Sequence, residues 1–361
     1  MIPVVNFLQA KMNRGSVLMQ KRIMEKGPLH DEKGRLVETG YAMELIRQYD
    51  RKRIAANPLR IKEWDYYLVQ SDRYALALTI ADNGYMGLDS ISLLDFDGPW
   101  EQTVSKMSFF TLGKRRLPST SKEGRSHTAG KGYEMTFEND GKRRRLYGYM
   151  ENFKNGLPIH FDVTLFGEPK DSMVIVTPFK DRTKAFYYNQ KINCLRAEGK
   201  AEWNGQEYLF APAHSFGVLD WGRGVWTYEN TWYWGSASGL VNQVPFGFNI
   251  GYGFGDTSAA SENMLFYAGR AHKLSQVKFE IPMKDGTEDY LSPWRFTSDD
   301  QRFEMDFQPI IDRASNTDFK VLCSKQHQVF GRFTGTAVLD DGTQIEIKDF
   351  LGFAEKVYNK W

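Results

Sequence analysis

Residues 216–256 read FGVLDWGRGVWTYENTWYWGSASGLVNQVPFGFNIGYGFGD, and this stretch holds four of the chain's nine tryptophans, Trp221, Trp226, Trp232 and Trp234, among closely spaced glycines. Large flat rings alternating with residues that lack a side chain suit a curved strand approached closely by a ligand or a neighbouring chain segment. In FGFNIGYGFGD, period-two alternation puts Phe246, Phe248, Ile250, Tyr252 and Phe254 on one face. The opposite face is glycine apart from Asn249, so either a ligand or a bulky side chain from another strand must cover that bare backbone. A mostly apolar surface set with a few polar groups, here Asp220, Arg223, Asn249, Tyr252 and Asp256, is the general form of a small-molecule site.

The texture outside this stretch is also that of strands. EWDYYLVQ, YALALTIA and SISLLDF alternate rings and branched residues between the turn signals Asp82-Asn83-Gly84 and Asp97-Gly98. Further hairpin turns are predicted at Asn139-Asp140-Gly141, Asn155-Gly156, Asn204-Gly205, Asp285-Gly286 and Asp341-Gly342, because two-residue hairpin turns need positive φ at both central residues. Between residues 120 and 350 no long helical periodicity supplies crossover helices for a parallel sheet. The fold class is therefore all-β, with two antiparallel β-barrel or sandwich halves. Two helical pieces are expected beside them: a lead-in over residues 1–60, where YAMELIRQYDRKRI spaces Met43, Leu45, Ile46 and Ile54, and a short closing helix over LGFAEKVYNKW. The halves are expected at 61–180 and 181–361. An internal echo between the strands after Trp64 and those after Trp232 predicts two similar β-units joined near residues 170–185.

A length of 361 residues allows two ordinary domains, and 41% hydrophobic content is ample for their cores. The 14% aromatic content is high and points to ring-lined interiors. A net charge of +2 gives no overall field for nucleic acid or an anionic surface. The basic runs Gly113–Gly132 and Lys142–Arg145 read as solvated hairpin rims. Cys194 and Cys323 have no paired spacing for zinc or redox chemistry, and no run of residues suits a membrane span or a cleaved leader. The expectation is a reduced, cytoplasmic protein without membrane insertion, metal or cofactor. Neither G-x-S-x-G nor a Walker-type loop is present, and GYGFGD has no following helix to hold a pyrophosphate.

Candidate chemistry rests on carboxylates set among rings. Asp220 and Arg223 either pair with each other or jointly grip a polar ligand atom, since Arg offers a fork of donors and Asp accepts. Asp220, Asp256 and Glu262 are candidate acids: one buried against tryptophan stays protonated near neutral pH while a more exposed partner remains ionised. Tyr187, Tyr188, Asn189, Lys191 and Asn193 alternate on a strand that can add a wall with hydrogen-bonding tips. His214 and His327 are the most suggestive histidines, yet no spacing supports a metal.

The phrases KEWDYYLV, ALTIAD, AFYYNQKINC, FGVLDWGRGVW, WYWGSASG, FGFNIGYGFGDTSAASEN and DFLGFAEKV together resemble the bacterial family known as domain of unknown function 2804, from about Lys26 onward. That resemblance implies no established activity. More distantly, the layout and the Asp-Trp element resemble the lipocalin-like group that includes carotenoid 1,2-hydratases and related cyclases. Such a resemblance implies protonation of a carbon–carbon double bond beside aromatic rings, with Asp220, Trp221, Tyr252 and Asp256 in loosely comparable places and His214 as the one counterpart of the histidine those sites add.

The preferred expectation is a cofactor-independent enzyme acting by acid catalysis on an apolar or ring-containing small molecule. Asp220, Asp256 and Tyr252 would be catalytic, and Trp221, Arg223, Trp226, Trp232, Trp234, Tyr188, Asn189, Asn249 and Glu262 would bind the ligand. Hydration, isomerisation or cyclisation would follow protonation. The alternatives are a carbohydrate-active enzyme with a carboxylate pair and stacking tryptophans, and a non-catalytic lipocalin-like carrier.

Overall fold

A computed structural model describes residues 20–180, 182–318 and 323–360. The larger sheet has 13 strands and runs antiparallel from the edge strand Trp100–Phe109 back through Met86–Asp95, Tyr74–Asp82 and Ile61–Gln70, then across Phe216–Val225, Arg182–Trp203 and onward to Gly124–Gly130. A second sheet of 9 strands has the same plan. Its meander Arg270–Lys273, Met264–Tyr267, Val244–Tyr252, Glu229–Val241 abuts the closing strand Gln344–Lys360, followed by Cys323–Val338, Phe303–Asp318, Trp294–Ser298 and Val277–Glu280. In each sheet the strand that opens the meander pairs with the strand that closes the half, and each sheet curls around its own apolar core.

At three of the anticipated hairpins both central residues are left-handed, while at Asp140-Gly141 and Asp341-Gly342 only the glycine is, with φ of 87° in each. Asn155 and Gly156 have φ of 54° and 77°, Asn204 and Gly205 of 54° and 73°, and Asp285 and Gly286 of 51° and 80°. The left-handed pair in each of these three turns matches the right-handed twist of the flanking strands.

Alternation along the strands at the junction divides their side chains between a core and the surface where the halves meet. In Phe216–Val225, Leu219, Trp221 and Val225 enter the first core with Leu78, Ile91, Val163 and Tyr188. Val244–Tyr252 sends Phe246, Phe248 and Ile250 into the second core, where Phe303 and Phe333 meet Phe248 at ring-centre distances of 5.0 Å. The opposite faces of these strands come together and bury two further apolar layers, one around Trp226, Tyr187 and Phe254 and one around Tyr66, Trp234, Phe330 and Phe353.

Three expectations need correction. YAMELIRQYDRKRI forms no long helix: Tyr41 lies in the strand Gly40–Ala42 opposite Ile175, Arg47 and Gln48 pair with Gly27 and Pro28, and Asp50 caps the turn Arg51–Arg53 by accepting from Lys52 N–H. Residues 1–19 of the predicted lead-in lie outside the described residues. The closing segment is part of the 17-residue strand Gln344–Lys360, hydrogen-bonded on both sides. Its Leu, Ala, Glu and Lys residues have good helix propensity, but pairing on two flanks outweighs a preference of a few tenths of a kcal/mol per residue. Finally, the change of sheet falls in 226–228 rather than near residue 180, so Arg182–Trp203, Gln206–Phe210 and Phe216–Val225 belong to the first half.

Candidate active site

Where the two halves meet, buried polar side chains from both form one seam. From the first half, Lys191 and Asp220 stand directly opposite each other on adjacent strands, with Lys191 Nζ 3.1 Å from Asp220 Oδ2. Asn189 Nδ2 donates to Asp220 Oδ1 at 2.5 Å and to the Trp221 carbonyl at 2.9 Å. The Lys191 ammonium also lies 3.7 Å from the centre of a Trp234 ring that belongs to the second half. From that half come Glu355, whose Oε1 accepts from Trp232 Nε1 and whose Oε2 accepts from Gln328 Nε2, both at 2.9 Å. Trp234 Nε1 donates to Asn249 Oδ1 at 2.7 Å, and Asn249 Nδ2 donates to the Glu262 carbonyl at 2.8 Å.

The carboxyl groups respond to this burial. Glu355 is pushed up to about 7, chiefly by loss of water and further by Asp220, against the opposing pull of the Trp232 N–H, Arg313 and Lys191. Burial also raises Glu262, with Lys191 opposing and Asp220 reinforcing the shift. Glu262 Oε2 and Asn189 Oδ1 are buried without a hydrogen-bond partner among the described residues. Burial drives Tyr187 well above the usual tyrosine range, and the nearby carboxyls of Glu262, Asp220 and Glu355 add to the effect. Tyr187 thus lies within electrostatic reach of all three acids.

Beside these acids stands an aromatic cluster. Phe254 meets Tyr187 and Trp226 at 4.9 Å, Phe179 at 5.2 Å and Trp232 at 5.4 Å, and Trp64 stacks on Tyr187 at 6.1 Å. Trp64 and Trp232 are only partly buried and bring the cluster to the surface. Phe254 lies between Gly253 and Gly255, whose φ values of 91° and 76° belong to the left-handed region that glycine adopts without strain.

The predicted residues separate into those that share this seam and those that do not. Asp220, Asn189, Trp226, Trp232, Trp234, Asn249 and Glu262 belong to it. Trp221, Tyr188 and Arg223 point the other way, into the first half. Trp221 packs against Tyr49 and Tyr188, and the Tyr188 hydroxyl donates to the Arg47 carbonyl. The proposed Asp220–Arg223 partnership fails on strand geometry, because residues three apart face opposite sides. Arg223 is instead fully buried with its fork on Asp65 and on the Trp64 and Pro118 carbonyls. Tyr252 stacks on Tyr233 at 4.5 Å and accepts from Phe279 N–H at 3.3 Å on the inner side of the second half. Asp256 closes a turn: its N–H donates to the Pro178 carbonyl, and its Oδ1 accepts from Ser258 N–H, which holds the carboxyl below its usual range. His214 is exposed, 3.8 Å from Asp72.

The glycine face beside Asn249 is covered by protein. A Cβ on Gly247 would stand 2.7 Å from Cys194 Sγ, and one on Gly251 would stand 2.7 Å from Glu262 Oε1. Sequence reasoning missed Glu355, hidden in a supposed helix, and Trp64, noticed only as part of an internal echo. The seam is closely filled. A void of about 10 Å³ lies along it, lined by Leu68, Gln70, Phe216, Val218, Ser236, Ala237 and Ser238, while a concavity of about 360 Å³ lies elsewhere on the second half between Lys284 and Asp312. No three His, Cys, Asp or Glu side chains among the described residues are grouped to hold a metal ion, and no described helix is long and apolar enough to cross a membrane.

Among solved structures the chain is similar to an AttH candidate from Nitrosomonas europaea, at 14% identity over 87% of this chain and 96% of that one with a TM-score of 0.52, which shows the common fold. It is also similar to kievitone hydratase from Nectria haematococca, at 11% identity over 93% and 98% of the two chains with a TM-score of 0.47. A third similar structure is CghA solved with Sch210972, at 10% identity over 92% and 97% with a TM-score of 0.45. No curated protein matches the chain. Residues 20–361, the whole two-sheet body and the seam within it, match the family described as Domain of unknown function (DUF2804), and the chain belongs to that family.

Proposed function

We propose that this protein is a cofactor-independent enzyme that acts by acid catalysis on an apolar or ring-containing small molecule at the seam between its halves. The observation that carries the reading is Glu262 Oε2: a buried carboxyl oxygen with no partner among the described residues, on a group that burial shifts toward its protonated form, beside Tyr187 of the ring cluster. A protonated carboxyl with an idle oxygen can transfer its proton to one carbon of a substrate double bond, leaving positive charge on the neighbouring carbon. Indole faces stabilise such charge by up to about 2 kcal/mol per desolvated contact, and Trp234 already holds the Lys191 cation in this way. Loss of a proton from the cation gives isomerisation, capture by water with release of one of its protons gives hydration, and attack by an internal double bond followed by loss of a proton gives cyclisation, the released proton restoring the acid in each case. In this reading Asp220, held by Asn189 and Lys191, lends the negative charge that faces the cation. Asp256 and Tyr252 fall outside the reacting group.

The filled seam sets the route of entry. In this reading a substrate enters through the aromatic cluster, where the left-handed glycines on either side of Phe254 give its ring pivots to move. The same close packing favours a second reading, a carrier without turnover.

Mass spectrometry of a metabolite extract incubated with the protein separates the two. Consumption of a component by wild-type protein is expected, with loss in Glu262→Gln and Asp220→Asn and retention in Asp256→Asn. Binding of a component without consumption by the wild type would remove the enzyme reading.

A further inference from the structure

We propose that the rim of the first half-barrel around residues 107–116 attaches the protein peripherally to an anionic lipid surface. Met107, Phe109, Phe110 and Leu112 are 61%, 72%, 62% and 38% exposed, whereas most other large apolar residues that reach solvent do so singly along the chain. A contiguous apolar patch of this kind marks an interaction surface.

The patch is built by its backbone. Phe110 and Leu112 have φ of 55° and 51°, a left-handed conformation that bulky residues rarely adopt. Buried Asp82 fixes the loop, accepting from Thr111 Oγ1 at 2.8 Å and from Gly113 N–H at 2.9 Å, while Phe110 and Leu112 N–H donate to the Tyr85 and Gly84 carbonyls. The usual distribution is inverted: polar Thr111 is buried and the two apolar neighbours face water. Leu59, 38% exposed, joins them, since its backbone lies within 2.7 Å of the position a Cβ on Gly84 would take.

The charge around this tip selects the occupant. Exposed Lys114 and Arg116 follow the apolar residues directly. Lys52 is brought alongside because the neighbouring Arg51 guanidinium packs on Gly113, 2.5 Å from the position of a Cβ there. None of these three cations makes a salt bridge to a described residue, and the nearby Asp50 carboxylate is engaged with Lys52 N–H and Arg53. Aromatic and aliphatic tips within a basic ring suit the headgroup region of an anionic bilayer, where each cation adds attraction and each ring adds buried apolar area. The rim also adjoins the aromatic cluster, because Lys62 lies 4.7 Å from the Tyr85 ring and 5.4 Å from Trp226. The inference stands whether or not the seam is catalytic.

Flotation of the full chain with vesicles tests it. Wild-type protein is expected to float with vesicles of phosphatidylcholine and phosphatidylglycerol in equal parts and to remain soluble with phosphatidylcholine alone. The F109S/F110N variant, altered only at exposed positions and with asparagine at the left-handed site, is expected to lose at least about tenfold in partitioning. K114E/R116E is expected to lose severalfold and to flatten the dependence on salt. Failure of the wild type to float, or equal flotation of F109S/F110N with an unchanged melting temperature, overturns the proposal. So does a wild-type dimer in sedimentation that F109S/F110N dissociates while neither protein floats, which would assign the patch to a second copy of the chain.

Discussion

Glu355→Gln is expected to abolish a pH dependence that one buried carboxyl imposes on folding. The group goes from 4.5 in the open chain to about 7 in the folded protein. Each tenfold change in proton affinity is worth about 1.4 kcal/mol, so the folded state gains on the order of 3 kcal/mol from holding this proton. Because the folded affinity is the higher one, the folded state binds more protons than the unfolded chain between the two values, and stability falls as pH rises. The contribution is complete below about pH 4.5 and is lost by the time pH passes about 7. Lys62 and Lys273, lowered by burial to about 7, act in the alkaline range and in the other direction: their contribution is lost as pH falls from 10.5 toward 7. Urea unfolding of wild type and Glu355→Gln at intervals from pH 4.5 to 8 isolates the one group, since terms remote from position 355 cancel in the difference. The glutamine keeps an acceptor for Trp232 Nε1, and Gln328, whose Oε1 is buried and unpartnered among the described residues, can turn to accept from the new amide. The variant should therefore match the wild type near pH 4.5 and exceed it by about 2–3 kcal/mol at pH 8. Parallel stability curves across this range would refute the assignment of a retained proton to Glu355.

Two further perturbations probe the seam. Lys191→Met leaves Asp220 buried without its cation and should cost about 3–5 kcal/mol, while Lys191→Met combined with Asp220→Asn should cost less than the sum of the single changes by at least about 1 kcal/mol. Additivity within about 0.5 kcal/mol in urea melts would dissolve the pair. Gly222→Ala places a Cβ 1.9 Å from Trp64 Cζ2, on a strand pinned by neighbours on both sides. It should cost about 1–3 kcal/mol and shift tryptophan emission to the red as Trp64 moves toward solvent. Gly98→Ala, with nothing within 4 Å, serves as the silent control.

The hairpins were readable because turn chemistry is local: Asn155-Gly156 and Asn204-Gly205 carry the instruction for their own backbone. That the aromatic segment gathers at the junction was readable for a related reason, since Trp226, Trp232, Trp234, Asn249 and Glu262 lie close together in sequence. What escaped depends on register between distant strands. That Lys191 stands opposite Asp220, or Gln328 opposite Glu355, follows from pairings across 29 and 27 positions that no local pattern encodes. Glu355 was lost for a further reason, because Phe353-Ala354-Glu355-Lys356 carries helix formers into a strand whose two flanks are both paired.

The echo between Trp64 and Trp232 acquires its meaning from those registers. Each half opens with a strand bearing a tryptophan and, two residues on, a second ring: Trp64 and Tyr66 in one, Trp232 and Trp234 in the other. Each closes with a strand that sets a carboxyl opposite the second ring, Asp220 facing Tyr66 and Glu355 facing Trp234. The halves then meet on these very surfaces, with the Tyr66 and Trp234 rings 5.9 Å apart. The two copies differ at the next strand outward, where the first half supplies Lys191 to its acid and the second supplies the neutral amide of Gln328. A counterion favours the ionised form and an amide in a dry setting leaves burial to dominate, so similar frameworks hold two acids in different environments. That difference, one lysine in place of one glutamine, predicts that Gln328→Lys would bring Glu355 back toward the ordinary carboxylate range in a pH titration followed by Trp232 fluorescence.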